Sequence, residues 1–231
     1  MTGSLGELQR ISWTATHWFR PNSYYTASSW RATWAAEGGG LIINQCHHNL
    51  DLLVWMTGLM PRRVTAVGFF GKRHPIETED EVSAIFEYDS GAIGHFYAAT
   101  GEFPGVNRLE LAGARARIVV EDDRVAVTRG AVDSREAIRT SQEPFGSPGK
   151  TLEAGPVLPA AVLPEHKAIV RDFVRNIREK LPAAQLLAPA AEDLAPLELG
   201  HAMLLSAVRH APVELPVAEG AYEEFLESKR S

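Results

Sequence analysis

"GGGLIINQCHHNLDLLVWMTG", residues 38–58, carries one formal charge, Asp51, when its two histidines are neutral. The same stretch holds Asn44, Gln45, His47, His48 and Asn49 among its aliphatic residues. Wound as a helix at about 100 degrees per residue, it places Asn44, His48, Asp51 and Trp55 on one narrow stripe. Ile42, Ile43, Cys46, Leu50, Leu53 and Met56 then fall on the opposite side. The apolar side suits packing on a sheet, and the polar stripe either faces water or walls a wet, enclosed cleft. Solvated helix faces are rich in Lys, Glu and Arg, and none of the three occurs between Gly38 and Pro61. That content favours the cleft.

The chemistry available to such a stripe follows from its histidine. An imidazole exchanges protons near neutral pH, and a neighbouring carboxylate or amide fixes its tautomer. His48 is therefore the candidate acid/base. Asp51 stands one turn on, placed to orient it, and Asn44 one turn back offers a donor and an acceptor to a substrate hydroxyl or carbonyl. His47 lies about 100 degrees away and reads as a structural residue. A metal site built from His47, His48 and Asp51 lacks any further ligand cluster at suitable spacing. The glycine run Gly38–Gly40 permits close approach of a ligand or of another backbone, or serves only as a tight turn into the helix.

The rest of the chain gives this helix a setting. With 231 residues, 45% apolar and 23% charged, the composition is that of a globular protein with one sizeable core. A net charge of −6 argues against a polyanionic partner such as nucleic acid. One cysteine, Cys46, forms no internal disulfide, and "MTGSLGELQR" has no secretory leader pattern, so the expected compartment is the cytoplasm. No run of about 18 apolar residues is available to span a membrane.

Residues 6–17 alternate as a half-buried strand, followed by an aromatic loop, "WFRPNSYYTASSWRATW" (18–34), whose rings require cover. From residue 64 the runs "VTAVGFF", "EVSAIFEY", "GAIGHFYAAT", "NRLELAG" and "ARIVVED" predict an antiparallel meander, with a hairpin turn at Asp89–Gly91. Residues 129–164, with five prolines and no period, predict a long surface excursion. Helices follow over "EHKAIVRDFVRNIREKL", "AEDLAPLELGHAMLLSAVRH" and "AYEEFLESKR". One α+β domain spanning residues 1–231 is expected, a mostly antiparallel sheet with helices gathered on one face.

Several familiar motifs fail. Gly38 and Gly40 have Ile43 where a dinucleotide fingerprint needs its third glycine. "FGSPGKT" (145–151) has Pro144 in the first glycine position of a P-loop, and proline-rich sequence follows it. The acidic triplet Glu79, Asp80 and Glu81 reads as a solvated start to a strand. Ser141 and Ser147 lack arguable triad partners.

With these residues in view, the sequence resembles the glucose-fructose oxidoreductase, inositol dehydrogenase and rhizopine-catabolism (Gfo/Idh/MocA) family over nearly its whole length. The match is carried by "EGGGLIINQCHHNLDLLVWMTG", the aromatic loop, "GEFPGVNRLELAG" and the closing "LELGHAMLLSAVRHAPVELP" with "AYEEFL". The resemblance implies the family's C-terminal α+β domain, without its Rossmann domain. It makes His48 the residue assisting proton transfer, with Asn44 and Asp51 beside the substrate and the aromatic loop supplying Arg20, Tyr24, Trp30 and Arg31. Gly39 and Gly40 become the positions nearest the cofactor, NAD or NADP in a complete enzyme, with none expected for this chain alone. Asn44 stands where other members carry aspartate. The family's Glu-Lys-Pro motif, source of a catalytic lysine, has no counterpart, since Leu181 interrupts "REKLP" (178–182). Implied partners are a carbohydrate-like small molecule and a second copy of the chain, in a homodimer or higher oligomer through the free sheet face. Three readings stay open: the substrate-binding half of a sugar or polyol oxidoreductase, a stand-alone sugar-binding or scaffolding module, and an enzyme completed in trans by a Rossmann chain.

Overall fold

Strand β1 (Leu8–Ala15) buries Ile11, Trp13 and Ala15 and turns the residues between them to the other side, the two-residue period that its sequence carries. A computed structural model describes residues 4–157 and 165–230. After β1 the chain crosses the aromatic loop, where α1 (Asn22–Thr26) makes one short turn, and enters the central helix. That helix opens with a π-helical turn at Ile42–Cys46 and continues as α2 (His47–Thr57), ending on Gly58 at φ 65°. Strands β2 (Arg63–Phe70), β3 (Glu79–Glu87), β4 (Ile93–Ala99), β5 (Asn107–Gly113), β6 (Ala116–Glu121) and β7 (Arg124–Gly130) follow.

With β8 (Lys150–Val157) and β9 (Val213–Glu214) at its two edges, the strand order β8-β7-β6-β5-β1-β4-β3-β2-β9 corrects the simple meander in one respect. β1 inserts between β4 and β5 and pairs parallel with β4, Trp13 opposite Phe96, while every other pairing is antiparallel. A parallel pair needs a long crossover, and the loop, central helix, β2 and β3 supply it. The excursion expected over residues 129–164 is also corrected. Asp133 caps α3 (Ser134–Thr140) by accepting from the Arg135 backbone N–H at 3.0 Å, and β8 (Lys150–Val157) adds an edge strand to β7. Residues 158–164 of that stretch lie outside the described residues. The tight β6–β7 hairpin turns on Asp122 and Asp123, both at positive φ (50° and 57°), a primed turn suited to Asp.

Helices α4 (Glu165–Glu179), α5 (Leu194–Arg209) and α6 (Ala221–Arg230) form where the periodicity places them, and β9 (Val213–Glu214) closes one edge of the sheet. Pro196 sits in the first turn of α5, where its missing N–H breaks no helical bond. α5 lies on β2, with the Ser206 hydroxyl accepting from Ala66 N at 2.9 Å, and α2 lies on α5. Gly200 lets the two helices close together, since a side chain there would meet Ile42 at 3.2 Å. Phe86, Phe96, Leu50, Leu53, Met203 and Leu205 fill the layer between helices and sheet. The opposite face of β2, β3 and β4 leaves Val67, Phe69, Ile85 and Ile93 exposed. α4 keeps Ile169, Phe173 and Ile177 largely uncovered. Among the described residues no helix is long and apolar enough to cross a membrane.

Candidate functional site

The central helix starts on a buried carboxylate. Glu79, wholly buried at the start of β3, accepts hydrogen bonds from Gly40 N at 3.0 Å and from Ile42 N at 2.8 Å. These are N–H groups that a helix start otherwise leaves without partners, and the helix dipole favours negative charge there. Gly40 is buried so closely that a Cβ would stand 2.4 Å from the Glu79 carbonyl oxygen and 2.5 Å from the Thr78 hydroxyl. Gly39, likewise buried, would carry its Cβ 2.4 Å from Ile43, and Gly38 sits at φ +75°. The glycine run thus wedges the helix start against the start of β3. Gly40→Ala is expected to cost about 2 kcal/mol or more in a denaturant titration, because backbone on both sides has to move.

The acidic triplet is a correction to its solvated reading, since Glu79 and Asp80 are fully buried and Glu81 nearly so. Asp80 gathers the backbone N–H groups of Arg73 (2.7 Å) and His74 (3.0 Å), while Glu81 binds Lys72 at 2.8 Å. Burial dominates Glu79 and pushes its carboxyl up to about 7, with Glu37 adding to the rise and the backbone donors opposing it.

The aromatic loop is pinned over the same end of the sheet. Arg20 N donates to Thr100 O at 2.8 Å, His74 Nε2 donates to Arg20 O at 2.8 Å, and Tyr25 OH donates to Thr100 Oγ1 at 3.1 Å. Trp34 is buried against Phe225 and holds Glu77 O through its indole N–H at 3.1 Å. This anchoring swings Tyr24 over the π-helical turn. Its phenol oxygen accepts from Arg31 Nη1 at 2.5 Å and from Gln45 Nε2 at 3.1 Å, and its hydroxyl donates to Asn44 Oδ1 at 3.4 Å. The Asn44 amide N–H donates in turn to the Glu37 carboxylate, which also accepts from Ala32 N. Arg20 lies 4.8 Å and Arg31 4.3 Å from the centre of the Tyr24 ring, and Trp30 receives Arg31 at 4.6 Å.

Of the residues singled out from the sequence, Asn44, Arg20, Tyr24, Trp30 and Arg31 are brought together. His48 follows Asn44 by about one turn and is exposed, with no hydrogen bond to any described residue. Asp51 makes none to His48. It borders instead a groove of about 540 Å³ with Trp55, Leu187, Pro189 and Asp193. The π-helical turn, with its i→i+5 ring, shifts Asn44 relative to the 100-degree winding of α2, in which His48 and Asp51 both lie. His47 is fixed structurally, its Nε2 at 2.7 Å from Asp193 Oδ1. Glu37, Gln45 and Glu79 are contributors that the sequence reading passed over. Glu37 stands seven residues before Asn44, a spacing that would share a helix face, but Gly38, at φ +75°, and the glycines after it break any helix between them. Among the described residues no group of three or more His, Cys, Asp or Glu side chains is placed to hold a metal.

Known proteins share this fold. The pattern of the GFO/IDH/MocA C-terminal domain matches residues 1–119, about half of the chain. The chain belongs to the Gfo/Idh/MocA family. Its fold recurs in the WlbA dehydrogenase from Bordetella pertussis, solved in complex with NADH and UDP-GlcNAcA, with TM-score 0.67 and 23% identity, covering 94% of this chain and 57% of that one. A levoglucosan dehydrogenase in complex with NADH and levoglucosan matches with TM-score 0.66 and 18% identity over 93% of this chain and 60% of that one. UDP-N-acetylglucosamine 3-dehydrogenase GnnA from Acidithiobacillus ferrooxidans matches with TM-score 0.61 and 17% identity over 89% and 56%. This Gfo/Idh/MocA chain therefore spans somewhat over half the length of those dehydrogenases. No curated protein gave a significant match.

Proposed function

We propose that this chain is the substrate-holding half of an NAD(P)-linked oxidoreductase acting on a hydroxyl carbon of a sugar, polyol or related compound. The observation that carries this reading is the pairing of a free, exposed His48 with the Asn44–Tyr24–Arg31 cluster one turn away, on the fold of a family whose solved members were captured with NADH and sugars. The glycine run offers a dinucleotide phosphate no free N–H at Gly40. Gly40 N–H is taken by Glu79, and the buried carboxylate occupies the place a phosphate oxygen would need. On this reading a dinucleotide-binding body outside the described residues holds the dinucleotide, which when bound supplies a hydride acceptor.

The chain's own residues do the rest. Asn44 presents its second amide N–H and a carbonyl lone pair to substrate hydroxyls, oriented by Glu37 and by the Tyr24 hydroxyl. His48 takes the proton of the hydroxyl being oxidised and returns it in the reverse direction. Trp30 offers a flat apolar face to a sugar ring. Asp51, farther along the same helix, borders the Trp55 groove and would meet only a substrate long enough to reach it. The uncovered face of β2, β3 and β4 is where a second copy of the chain would pair.

The test is to supply the chain with a dinucleotide-binding counterpart and follow reduction of NAD or NADP over a panel of sugars, polyols and their acids. Reduction that needs both bodies supports the reading. Binding of a sugar without reduction under any of these conditions rejects it in favour of a binding module. Tyr24→Phe keeps the ring between the two arginines but removes the oxygen collecting three hydrogen bonds. It is expected to raise KM about 10-fold with kcat changed much less, as steady-state kinetics would show.

A further inference from the structure

Six arginines are partly buried among the described residues: Arg10, Arg20, Arg31, Arg63, Arg108 and Arg129. Four of them meet a carboxylate of this chain, Arg10 on Glu110, Arg63 on Glu87, Arg108 on Glu121 and Arg129 on Glu153. Arg20 and Arg31 meet none, and they are the two that flank Tyr24. A partly desolvated guanidinium without a counter-charge is unfavourable unless something else supplies one. Stacking on Tyr24, Trp18 and Trp30 satisfies the flat faces of these groups but not their N–H donors. Arg31 spends one donor on the Tyr24 oxygen and Arg20 one on Phe19 O at 3.1 Å, while Arg20 Nε is buried with no hydrogen-bond partner among the described residues. No other charged residue stands in the loop from 18 to 36, although the chain as a whole is acidic.

Resting on the reading of this site as a substrate wall, we infer that Arg20 and Arg31 form an anion clamp, so the substrate carries a carboxylate or phosphate group that their free donors grip, with Tyr24 as the spacer between them. Two guanidiniums on one rigid ring fit the paired oxygens of either anion. Neutral polyols leave both charges uncompensated. The clamp thus sets specificity, while His48 and Asn44 address the hydroxyl end of the molecule.

Calorimetric titration of the chain with D-glucuronate, glucose 6-phosphate and UDP-glucose, each against D-glucose, tests this directly. At least one of the anions is expected to bind 10-fold or more tighter than D-glucose, with affinity falling as salt rises. The first two arms separate a carboxylate from a terminal phosphate, and the third identifies a diphosphate bridge. Arg20→Gln and Arg31→Gln should each cost 10-fold or more toward the preferred anion and little toward D-glucose. Arg31→Lys should recover only part of the loss, because it restores charge without the fork. Equal affinity for D-glucose and all three anions, no binding of any anion, or indifference of both Gln variants overturns the clamp. Circular dichroism of the variants confirms that a loss is not unfolding. The two readings fail separately. Anion selectivity that depends on Arg20 and Arg31 without any nicotinamide reduction removes the oxidoreductase reading and leaves the clamp, whereas reduction driven by neutral polyols and indifferent to both Gln variants does the reverse.

Discussion

His48→Ala is expected to lower turnover by about 100-fold or more, with KM changed far less, when the chain is assayed with its dinucleotide-binding counterpart. The side chain is exposed and makes no hydrogen bond within the described residues, so its removal should shift stability by no more than about 0.5 kcal/mol. That separation makes the variant informative, because lost activity cannot then be blamed on lost fold. His47→Ala serves as the contrast. It breaks the 2.7 Å contact to Asp193, which ties the helix to the start of α5, and should affect stability more than chemistry. Unchanged turnover in the His48 variant would take this residue out of the mechanism.

Glu79→Ala is expected to be the most damaging single change to the fold, at about 3–5 kcal/mol, because it leaves two buried N–H groups unpaired and opens a cavity under the helix start. A Tm lower by roughly 10 °C would report it. Ionisation gives the same residue a pH signature. In the folded chain its carboxyl is raised to about 7 from an ordinary value of 4.5, chiefly by burial, so the native protein holds this proton more tightly than the unfolded chain. The resulting stabilisation is complete below about pH 4.5 and is lost as pH rises through 7, an amount on the order of 3 kcal/mol. Glu79→Gln cannot ionise, while its amide oxygen can still accept from Gly40 and Ile42. Its denaturation midpoint should therefore vary less between pH 4.5 and 7 than that of the unaltered chain. Parallel profiles for the two would show that Glu79 does not titrate in that window.

Much of this architecture was legible because its signals are local. The alternation in β1, β3 and β4, the turn at Asp89–Gly91 and the helical spacing of α4, α5 and α6 each depend on neighbours a few residues apart. The parallel β1–β4 pair was not legible, since alternation states which face a residue occupies and not which strand lies beside it. Strand β8 was hidden by the prolines and glycines around it, which an edge strand tolerates. At the site, Arg20, Tyr24, Trp30, Arg31 and Asn44 were picked out by residue type in an unusually aromatic loop and a charge-poor helix. Their contact with Glu37 is made at a π-helical turn that no simple residue pattern announces, and Asp51, three residues after His48 in α2, borders the Trp55 groove. The burial of Glu79, Asp80 and Glu81 shows the same limit, because three adjacent carboxylates look solvated until the backbone donors of residues 40–42 and 72–74 are folded against them.

The claim that the surface joining Tyr24, Asn44 and His48 is the substrate wall can be put to one measurement, the imidazole ring resonances of the chain during titration with D-glucuronate. The expected result is a saturable shift of the His48 resonances while those of His166 and His210, remote in the sequence and exposed, stay in place. Saturable binding that leaves His48 unmoved and shifts other histidines would contradict it.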